Sequence, residues 1–159
     1  MPTHQPTRPS IRSATGKDLA QLQALARRTI NAGYRSFLGD EAVDWFIGSA
    51  ASDDHIATHL DQGHIHCLEQ DGQIVGFTIL DGPTIDLMMI DQRHHRQGLG
   101  RLLFSHAEAL LFTRYQDLRL ESFTGNTTAN AFYEACGWSP AGPLDSTDPP
   151  KIEYVKRRG

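Results

Sequence analysis

An apolar run that ends in a glycine-spaced turn and then opens a helical pattern most constrains the fold of this 159-residue chain. The run is 85–90 (IDLMMI), and 95–101 (HRQGLGR) supplies the turn and the first helical residues. A strand that stops at such a loop directs backbone N–H groups and the positive end of a helix dipole at one point. The pattern predicts a phosphate or pyrophosphate site, although glycines at a strand-to-helix junction can also form a plain turn.

A second spaced pattern follows the strand-like stretch 118–123. Its residues are Asn126, Ala129, Phe132, Tyr133, Gly137 and Trp138. Together the two patterns resemble the GCN5-related N-acetyltransferases (the GNAT superfamily). That family's acetyl-CoA loop is usually Gln/Arg-x-x-Gly-x-Gly/Ala, and its later helix carries Asn-x-x-Ala-x-x-Phe-Tyr-x-x-x-Gly-Phe. His95 replaces the usual Gln or Arg, and Trp138 the usual Phe; the resemblance is dense over 74–138 and only architectural outside it.

Hydrophobic patterns along the chain are typical of an α/β (α+β) protein. Thr15 and Asp18 precede an amphipathic helix, 33–39 is predicted as a bend, and 52–54 as the cap of a later helix. The pattern then predicts three strands, at 65–69, 74–80 and 84–90. They are joined by the hairpin signals Asp71-Gly72 and Asp81-Gly82.

The resemblance implies a particular version of this architecture, the GNAT fold. It consists of a mixed, mostly antiparallel sheet of about six or seven strands with splayed central strands, flanked by about four helices. We predict one N-acetyltransferase domain over 1–159, with 1–8 as a flexible N-terminal segment. In this family the pantetheine arm of acetyl-CoA lies between the splayed strands.

The resemblance also implies the residues that bind the coenzyme. The backbone N–H of Met88 takes the position that polarises the acetyl carbonyl, and Ile90 the position that bonds the pantetheine amide. Asn126 is predicted to bond the coenzyme arm, with a role as a helix N-cap as the alternative. The full predicted set is Met88, Met89, Ile90, His95, Arg96, Gln97, Gly98, Leu99, Gly100, Arg101, Asn126 and Phe132.

Three residues are candidates for proton transfer. Tyr133 aligns with the family's general-acid tyrosine, which protonates the departing CoA thiolate; the alternative is that it only packs the helix on the sheet. Glu121 takes the position of a glutamate base in some members. Asp86 takes that of a base histidine in the aralkylamine branch, and strand alternation predicts that it faces the same side as Met88. Water is a third way to remove the amine proton.

The acceptor site is predicted from the first helices and their connection. Tyr34, Phe37, Trp45 and Phe46 would form an apolar wall, and acidic neighbours at 40, 41, 44, 53 and 54 favour a small cationic amine. A peptide N-terminus or lysine, an aminoglycoside, a polyamine and an amino acid all remain open. The same aromatic residues could instead form a homodimer contact.

Composition excludes several other functions. The net charge of −4 and pI near 6.0 argue against a nucleic-acid binder. The N-terminus lacks the apolar core of a signal peptide, and no run approaches the ~20 apolar residues of a membrane span, so we expect a cytoplasmic protein. Cys67 and Cys136 are expected to be free thiols.

Histidines are frequent, and some are spaced as metal ligands would be. His55 and His59 are four residues apart on one predicted helix, and His64 and His66 follow closely. Because no Cys-x-x-Cys or His-Glu-x-x-His accompanies them, we interpret this as a histidine-rich surface helix and expect no metal.

These expectations combine into one hypothesis for the function. The chain is predicted to be an acyl-CoA N-acyltransferase that transfers an acetyl group from acetyl-CoA directly to a primary amine through a tetrahedral intermediate. Two alternatives are a transferase that uses another acyl-CoA and a CoA-binding regulator that keeps the fold without turnover.

Overall fold

The computed structural model describes residues 8–95, 97–144, 147 and 149–159. Within these ranges a seven-stranded sheet is flanked by six α-helices. The strands are β1 (Ser10–Ser13), β2 (Ile65–Gln70), β3 (Gln73–Asp81), β4 (Thr84–Ile90), β5 (Asp117–Phe123), β6 (Ser139–Leu144) and β7 (Lys151–Arg157). The helices are α1 (Leu19–Gly33), α2 (Arg35–Leu38), α3 (Asp40–Gly48), α4 (Ala51–Asp61), α5 (Leu99–Phe112) and α6 (Thr127–Ala135).

The sheet is mixed and mostly antiparallel, in the order β1-β2-β3-β4-β5-β7-β6. Every neighbouring pair is antiparallel except β4 and β5, which are parallel. In the described residues the β4–β5 register consists of one pair, Thr84 with Arg119. The two strands therefore separate beyond that pair, and the predicted fold with splayed central strands is confirmed.

Helices cover both faces of the sheet. On one face α1, α3 and α4 bury residues such as Leu22 and Ile56 in a cluster with Phe77 of β3. On the other face α5 contributes Phe104, which packs in a cluster with Tyr154 of β7. Because both faces are covered, β3 is buried continuously from Ile74 to Leu80, which explains its nearly continuous apolar run.

Local turns differ in two places from the sequence-based expectation. The predicted bend at 33–39 contains the one-turn helix α2, which ends at Gly39 with φ +87°. The second hairpin turns through Gly82 and Pro83, because Asp81 still pairs with Thr84. The first hairpin is as predicted, with positive φ at both Asp71 and Gly72.

A β-bulge in β4 overturns the predicted orientation of Asp86. In the ladder with β3, Ile79 pairs with Leu87 and Leu80 with Ile85, so Asp86 is the extra residue. Its carboxylate reaches His55 on α4, on the α1 side of the sheet. Met88 instead packs with the clusters on the α5 side. The two side chains therefore lie on opposite faces, because the bulge interrupts strand alternation.

Other expectations fall at the edges of what the structure describes. Of the segment predicted to be flexible, 1–7 lies outside the described residues, as does Arg96 in the predicted coenzyme loop. Among the described helices, none is both long enough and apolar enough to cross a membrane.

Candidate active site

A cavity of about 330 Å³ opens where β4 and β5 separate. Its sides come from these two strands, from helices α1 to α4, from α6 and its N-cap, and from the first residue of β7. Among its lining residues are Asp86, Met88, Met89, Glu121, Asn126 and Tyr133, all of them predicted from the sequence. Residues that are far apart in the sequence thus meet around one opening.

The backbone of β4 directs donors into the gap between the strands. Asp91 N–H donates to Val75 C=O at 2.8 Å, so this residue pair is hydrogen-bonded across β3 and β4. Hydrogen-bonded and non-bonded pairs alternate in an antiparallel ladder. With Gly76 opposite Ile90 and Thr78 opposite Met88, the N–H groups of Met88 and Ile90 face away from β3 and toward β5.

The glycine loop places the start of α5 at the same end of β4. Gly98 has φ +77° and is the N-cap of this 14-residue helix. A Cβ on Gly100 would lie 3.8 Å from Ile90 Cγ1, so the first helical turn lies against the end of the strand. Leu99 is buried in the core, and any coenzyme contact from it would therefore use its backbone.

His95 is tied to the end of β4. Its Nε2 lies 2.9 Å from the carbonyl oxygen of Ile90, so the ring bridges the loop and the strand. Gln97 and Arg101 are exposed on the surface of the loop and of the first helical turn, consistent with access for a ligand. Gly76 lies against the same end of β4. A Cβ there would lie 2.6 Å from Ile90 Cδ1 and 2.9 Å from the Met89 oxygen, so this close packing requires a glycine.

Tyr133 lines the cavity from α6. Its ring packs on Phe104 at 5.5 Å and on Tyr154 at 5.8 Å between centroids. Burial, with smaller contributions from neighbouring tyrosines, raises the pKa of its hydroxyl above the usual value for tyrosine. The hydroxyl is therefore protonated at neutral pH.

Asn126 and Phe132 have structural contacts beside the roles predicted for them. The Asn126 side chain accepts a hydrogen bond of 3.3 Å from Ala129 N–H and caps α6, while the residue also lines the cavity. Phe132 packs on Phe104 at 5.4 Å and belongs to the edge of the core cluster on the α5 side. The Phe132 ring is thus mainly a packing residue.

The two candidate base carboxylates have different partners. Glu121 lies 3.3 Å from Arg119 Nη2 and 3.9 Å from Lys151 Nζ, so it is held between two cations. Asp86 Oδ2 lies 2.7 Å from His55 Nε2. Burial acts to raise the pKa of Asp86, but the hydrogen bond and charge of His55 outweigh it and the pKa is lowered overall.

The predicted acceptor wall is only partly assembled. Tyr34 lines the cavity, and burial raises its pKa to about 12. Phe37 stacks on Tyr34 at 5.2 Å and on Phe123 at 5.9 Å, and so supports the lining from behind. Trp45 lies on α3 with 59% of its surface exposed and is not part of the lining, because that helix directs it to solvent.

The acidic residues predicted beside this wall also lie elsewhere. Asp40 and Asp44 are 81% and 67% exposed at their side chains, and both are bound by Arg35. The charged residues that line the cavity are instead Asp86, Glu121, His55 and Lys151.

Several lining residues were missed from the sequence. Lys151 arrives from β7 and His55 from α4, so neither belongs to a local motif. The spacing of His55 and His59 did mark this helix, but the acidic partner comes from β4, 31 residues away. Leu38 and Ser52 complete the α2 to α4 side, together with Phe46, which belongs to the predicted apolar wall.

Among the described residues, two groups of three have the residue types and spacing to hold a cation. They are His55, His59 and Asp86, and His59, His64 and Asp81, whose ligand atoms lie within 4.8 Å of one another. Ligand atoms on a tetrahedral zinc are separated by about 3.3 Å. The His55–Asp86 and His59–His64 pairs, at 2.7 and 3.0 Å, have instead the spacing of direct hydrogen bonds.

Comparison with known proteins agrees with this geometry. The family model described as an acetyltransferase (GNAT) domain matches residues 61–140, half of the chain. The chain belongs to the GNAT family of acetyltransferases. The matched region runs from the end of α4 to the start of β6 and so contains β4, the glycine loop and Tyr133. No curated protein matches the sequence.

Solved GNAT structures share the fold at low sequence identity. A GCN5-related N-acetyltransferase from Rhodopseudomonas palustris is 18% identical with a TM-score of 0.83, covering 99% of this chain and 100% of that one. PaiA N-acetyltransferase from Thermoplasma acidophilum, solved in complex with coenzyme A, is 16% identical with a TM-score of 0.80, covering 96% and 100%. YjaB from Escherichia coli is 24% identical with a TM-score of 0.75, covering 94% and 97%.

Proposed function

We propose that this GNAT protein is an acetyl-CoA-dependent N-acetyltransferase that acts on a primary amine. One observation carries the proposal: the N–H groups of Met88 and Ile90 face the gap between β4 and β5, and Tyr133 lines the cavity at that gap. The gap accepts an extended pantetheine arm, and the cavity accepts the amine. PaiA from Thermoplasma acidophilum, which shares the fold, was solved with coenzyme A.

The coenzyme would bind along the end of β4 and the start of α5. The Ile90 N–H donates a hydrogen bond to a pantetheine amide, which takes the place of a neighbouring strand. The pyrophosphate lies at the loop from Gln97 to Arg101, where free N–H groups and the helix dipole favour negative charge. Asn126 lines the cavity at the other side of the gap and can bond the same arm.

The chemistry is a direct transfer. The amine nitrogen attacks the thioester carbonyl carbon, and the carbonyl oxygen gains negative charge opposite the Met88 N–H, a donor worth about 3 kcal/mol when preorganised. Collapse of the tetrahedral intermediate breaks the carbon–sulfur bond, and the Tyr133 hydroxyl gives its proton to the CoA thiolate. The tyrosinate then regains a proton from the amine nitrogen, which leaves a neutral amide.

The acceptor is proposed to be a small cationic amine, a peptide N-terminus or a lysine. Two carboxylates, Asp86 and Glu121, line a largely apolar cavity beside one lysine, Lys151. The carboxylates attract an ammonium group. A volume of about 330 Å³ suits a small molecule or one side chain.

Incubation with acetyl-CoA and a panel of amines, followed by mass spectrometry of the products, tests the function. We expect one class of amine to gain an acetyl group with release of free CoA thiol. Binding of acetyl-CoA without any product would instead favour a CoA-binding regulator. Turnover only with a longer acyl-CoA would favour another donor.

A further inference from the structure

His55 pairs with a partly exposed carboxylate at the edge of the cavity. It lines the cavity from α4, and its Nε2 lies 2.7 Å from Asp86 Oδ2 on the bulge of β4. The bulge is what makes this contact, because it directs Asp86 to the α4 side of the sheet. About half of the His55 side chain remains exposed, so a ligand in the cavity can reach it.

Chemistry fixes which nitrogen of His55 carries a proton. A carboxylate with a lowered pKa is ionised at neutral pH and can only accept, so the Nε2 of His55 is the donor. In the neutral ring the other nitrogen, Nδ1, then has a free lone pair. The aspartate thus orients the histidine: its carboxylate fixes the tautomer of the neutral ring and stabilises the imidazolium.

The charges around His55 come from several elements. Asp86 on β4 raises the pKa of His55 through its hydrogen bond, whereas burial and Lys151 on β7 lower it, and the net shift is upward. His59, on the same helix, contacts the His55 ring edge to face at 4.6 Å, and burial lowers its pKa. Glu121 and the hydroxyls of Tyr34 and Tyr133 complete the titratable groups of the cavity.

We propose that His55 is the general base of the acetyl transfer and that Asp86 is its positioning residue. The proposal rests on the proposed function. The amine enters as an ammonium ion, Nδ1 of His55 takes one proton from it, and the freed lone pair attacks the acetyl carbonyl. The carbon–sulfur bond breaks and Tyr133 protonates the thiolate. The tyrosinate then takes the excess proton from the nitrogen as the amide forms, and the imidazolium returns its own proton to solvent.

This assignment distinguishes His55 from the two carboxylates. Glu121 is already engaged by Arg119 and Lys151. Asp86 already accepts the His55 hydrogen bond. Imidazole is also the side chain whose ordinary pKa lies nearest to neutral pH, where a base is most effective.

The first test needs no acceptor. In the folded protein, NMR titration of histidine ring protons should show His55 titrating above pH 6.5, the ordinary value for histidine. Asp86→Asn should lower that titration point, because the charged partner is removed. A His55 titration that does not respond to Asp86→Asn would overturn the positioning role.

The second test measures the pH dependence of kcat/KM with the best amine of the panel. His55→Gln should reduce turnover by about 10²-fold or more and remove the acidic limb, while the thermal shift caused by acetyl-CoA stays unchanged. Asp86→Asn should move that limb to lower pH. His106→Gln, on α5 and outside the cavity lining, is the matched control and should leave the profile as in the wild type.

The outcomes separate this proposal from the proposed function. If the His55→Gln variant keeps the wild-type turnover and the acidic limb of the pH profile, His55 is not the base. The acetyltransferase function then still stands. No turnover by the wild type with any amine and any acyl-CoA overturns both.

Discussion

Tyr133→Phe removes one hydroxyl from the cavity and leaves the ring that packs on Phe104. We expect acetyl-CoA to raise the melting temperature of the variant as it does that of the wild type, because the aromatic packing is retained. Turnover should fall by about 10²- to 10⁴-fold, the usual effect of losing a general acid. Steady-state kinetics and thermal shift, measured side by side, check both parts.

Tyr115→Phe is the control for this change. Tyr115 is a partly buried tyrosine beside the same core cluster, but it does not line the cavity. Loss of the Tyr115 hydroxyl should leave turnover near the wild-type rate. Normal turnover in Tyr133→Phe would leave that ring with a packing role alone.

Asp18 is a buried carboxylate that ties β1 to the start of α1. It accepts hydrogen bonds from Arg12 at 2.9 and 3.0 Å and from Thr15 N–H at 2.8 Å, and these contacts lower its pKa from 3.8 to about 2. Its stabilising effect is therefore complete above pH 4 and is lost as the pH falls from about 4 toward 2. Asp18→Asn should lower the free energy of unfolding at pH 7 by about 1–3 kcal/mol.

Urea unfolding at several pH values measures this effect. The difference between wild type and Asp18→Asn should shrink as the solution is acidified below pH 4, where the wild-type carboxylate becomes protonated. Asp117→Asn is the control, because Asp117 is 66% exposed and pairs with Arg157 at the surface. A difference in the free energy of unfolding that stays constant with pH would contradict the role given to Asp18.

Individual residues differ in how far the sequence could predict them. Tyr133 and Gly98 occupy fixed places in spaced motifs, so their positions followed once the motifs were recognised. The partner of Asp86 could not be predicted, because its orientation depends on a bulge that arises only when β3 and β4 pair. Trp45 was placed by its aromatic character, but the helix it belongs to directs it to solvent.

The glycine loop before α5 offers a test of the pyrophosphate site. Gly98 has φ +77°, a conformation that side chains rarely adopt, and Gly98→Asp adds negative charge where a phosphate is expected. We expect the variant to lose most of the thermal shift caused by acetyl-CoA. In the wild type, pantetheine, which lacks the phosphates, should give a much smaller shift than acetyl-CoA.

A matched variant separates backbone strain from the loss of the phosphate site. Gly63 has φ +75° and lies at the end of α4, away from the loop, so Gly63→Asp imposes a similar strain and charge. It should lower stability while keeping the acetyl-CoA shift. Equal shifts from acetyl-CoA and pantetheine in the wild type would contradict the loop assignment.

Helices and strands with strong local patterns were predicted well. The amphipathic spacing of α1 and the hairpin before β3 are local properties, and both are confirmed. The one-turn helix α2 was missed because four residues give too short a pattern to distinguish from a bend. The splay between β4 and β5 followed from the family resemblance and not from local pattern, since it is a property of two strands far apart in sequence.

The charge distribution of the whole molecule yields the last prediction. Asp86 and Glu121 line the cavity, whereas Asp40 and Asp44 lie on the outer surface with Arg35. Glu121→Gln should raise the KM for a cationic acceptor and leave that for acetyl-CoA unchanged, because a negative charge is lost beside the cation's path. Added salt should weaken acceptor binding in the wild type.

Asp40→Asn combined with Asp44→Asn changes the net charge without changing the cavity. If local charge guides the acceptor, this control leaves both KM values near those of the wild type, since exposed charges are strongly screened. KM measured at two ionic strengths, together with the oligomeric state from light scattering, checks the prediction. Dissociation of an oligomer in the control would identify the α3 surface as a subunit contact, and a neutral acceptor without a salt response would show that apolar fit selects the substrate.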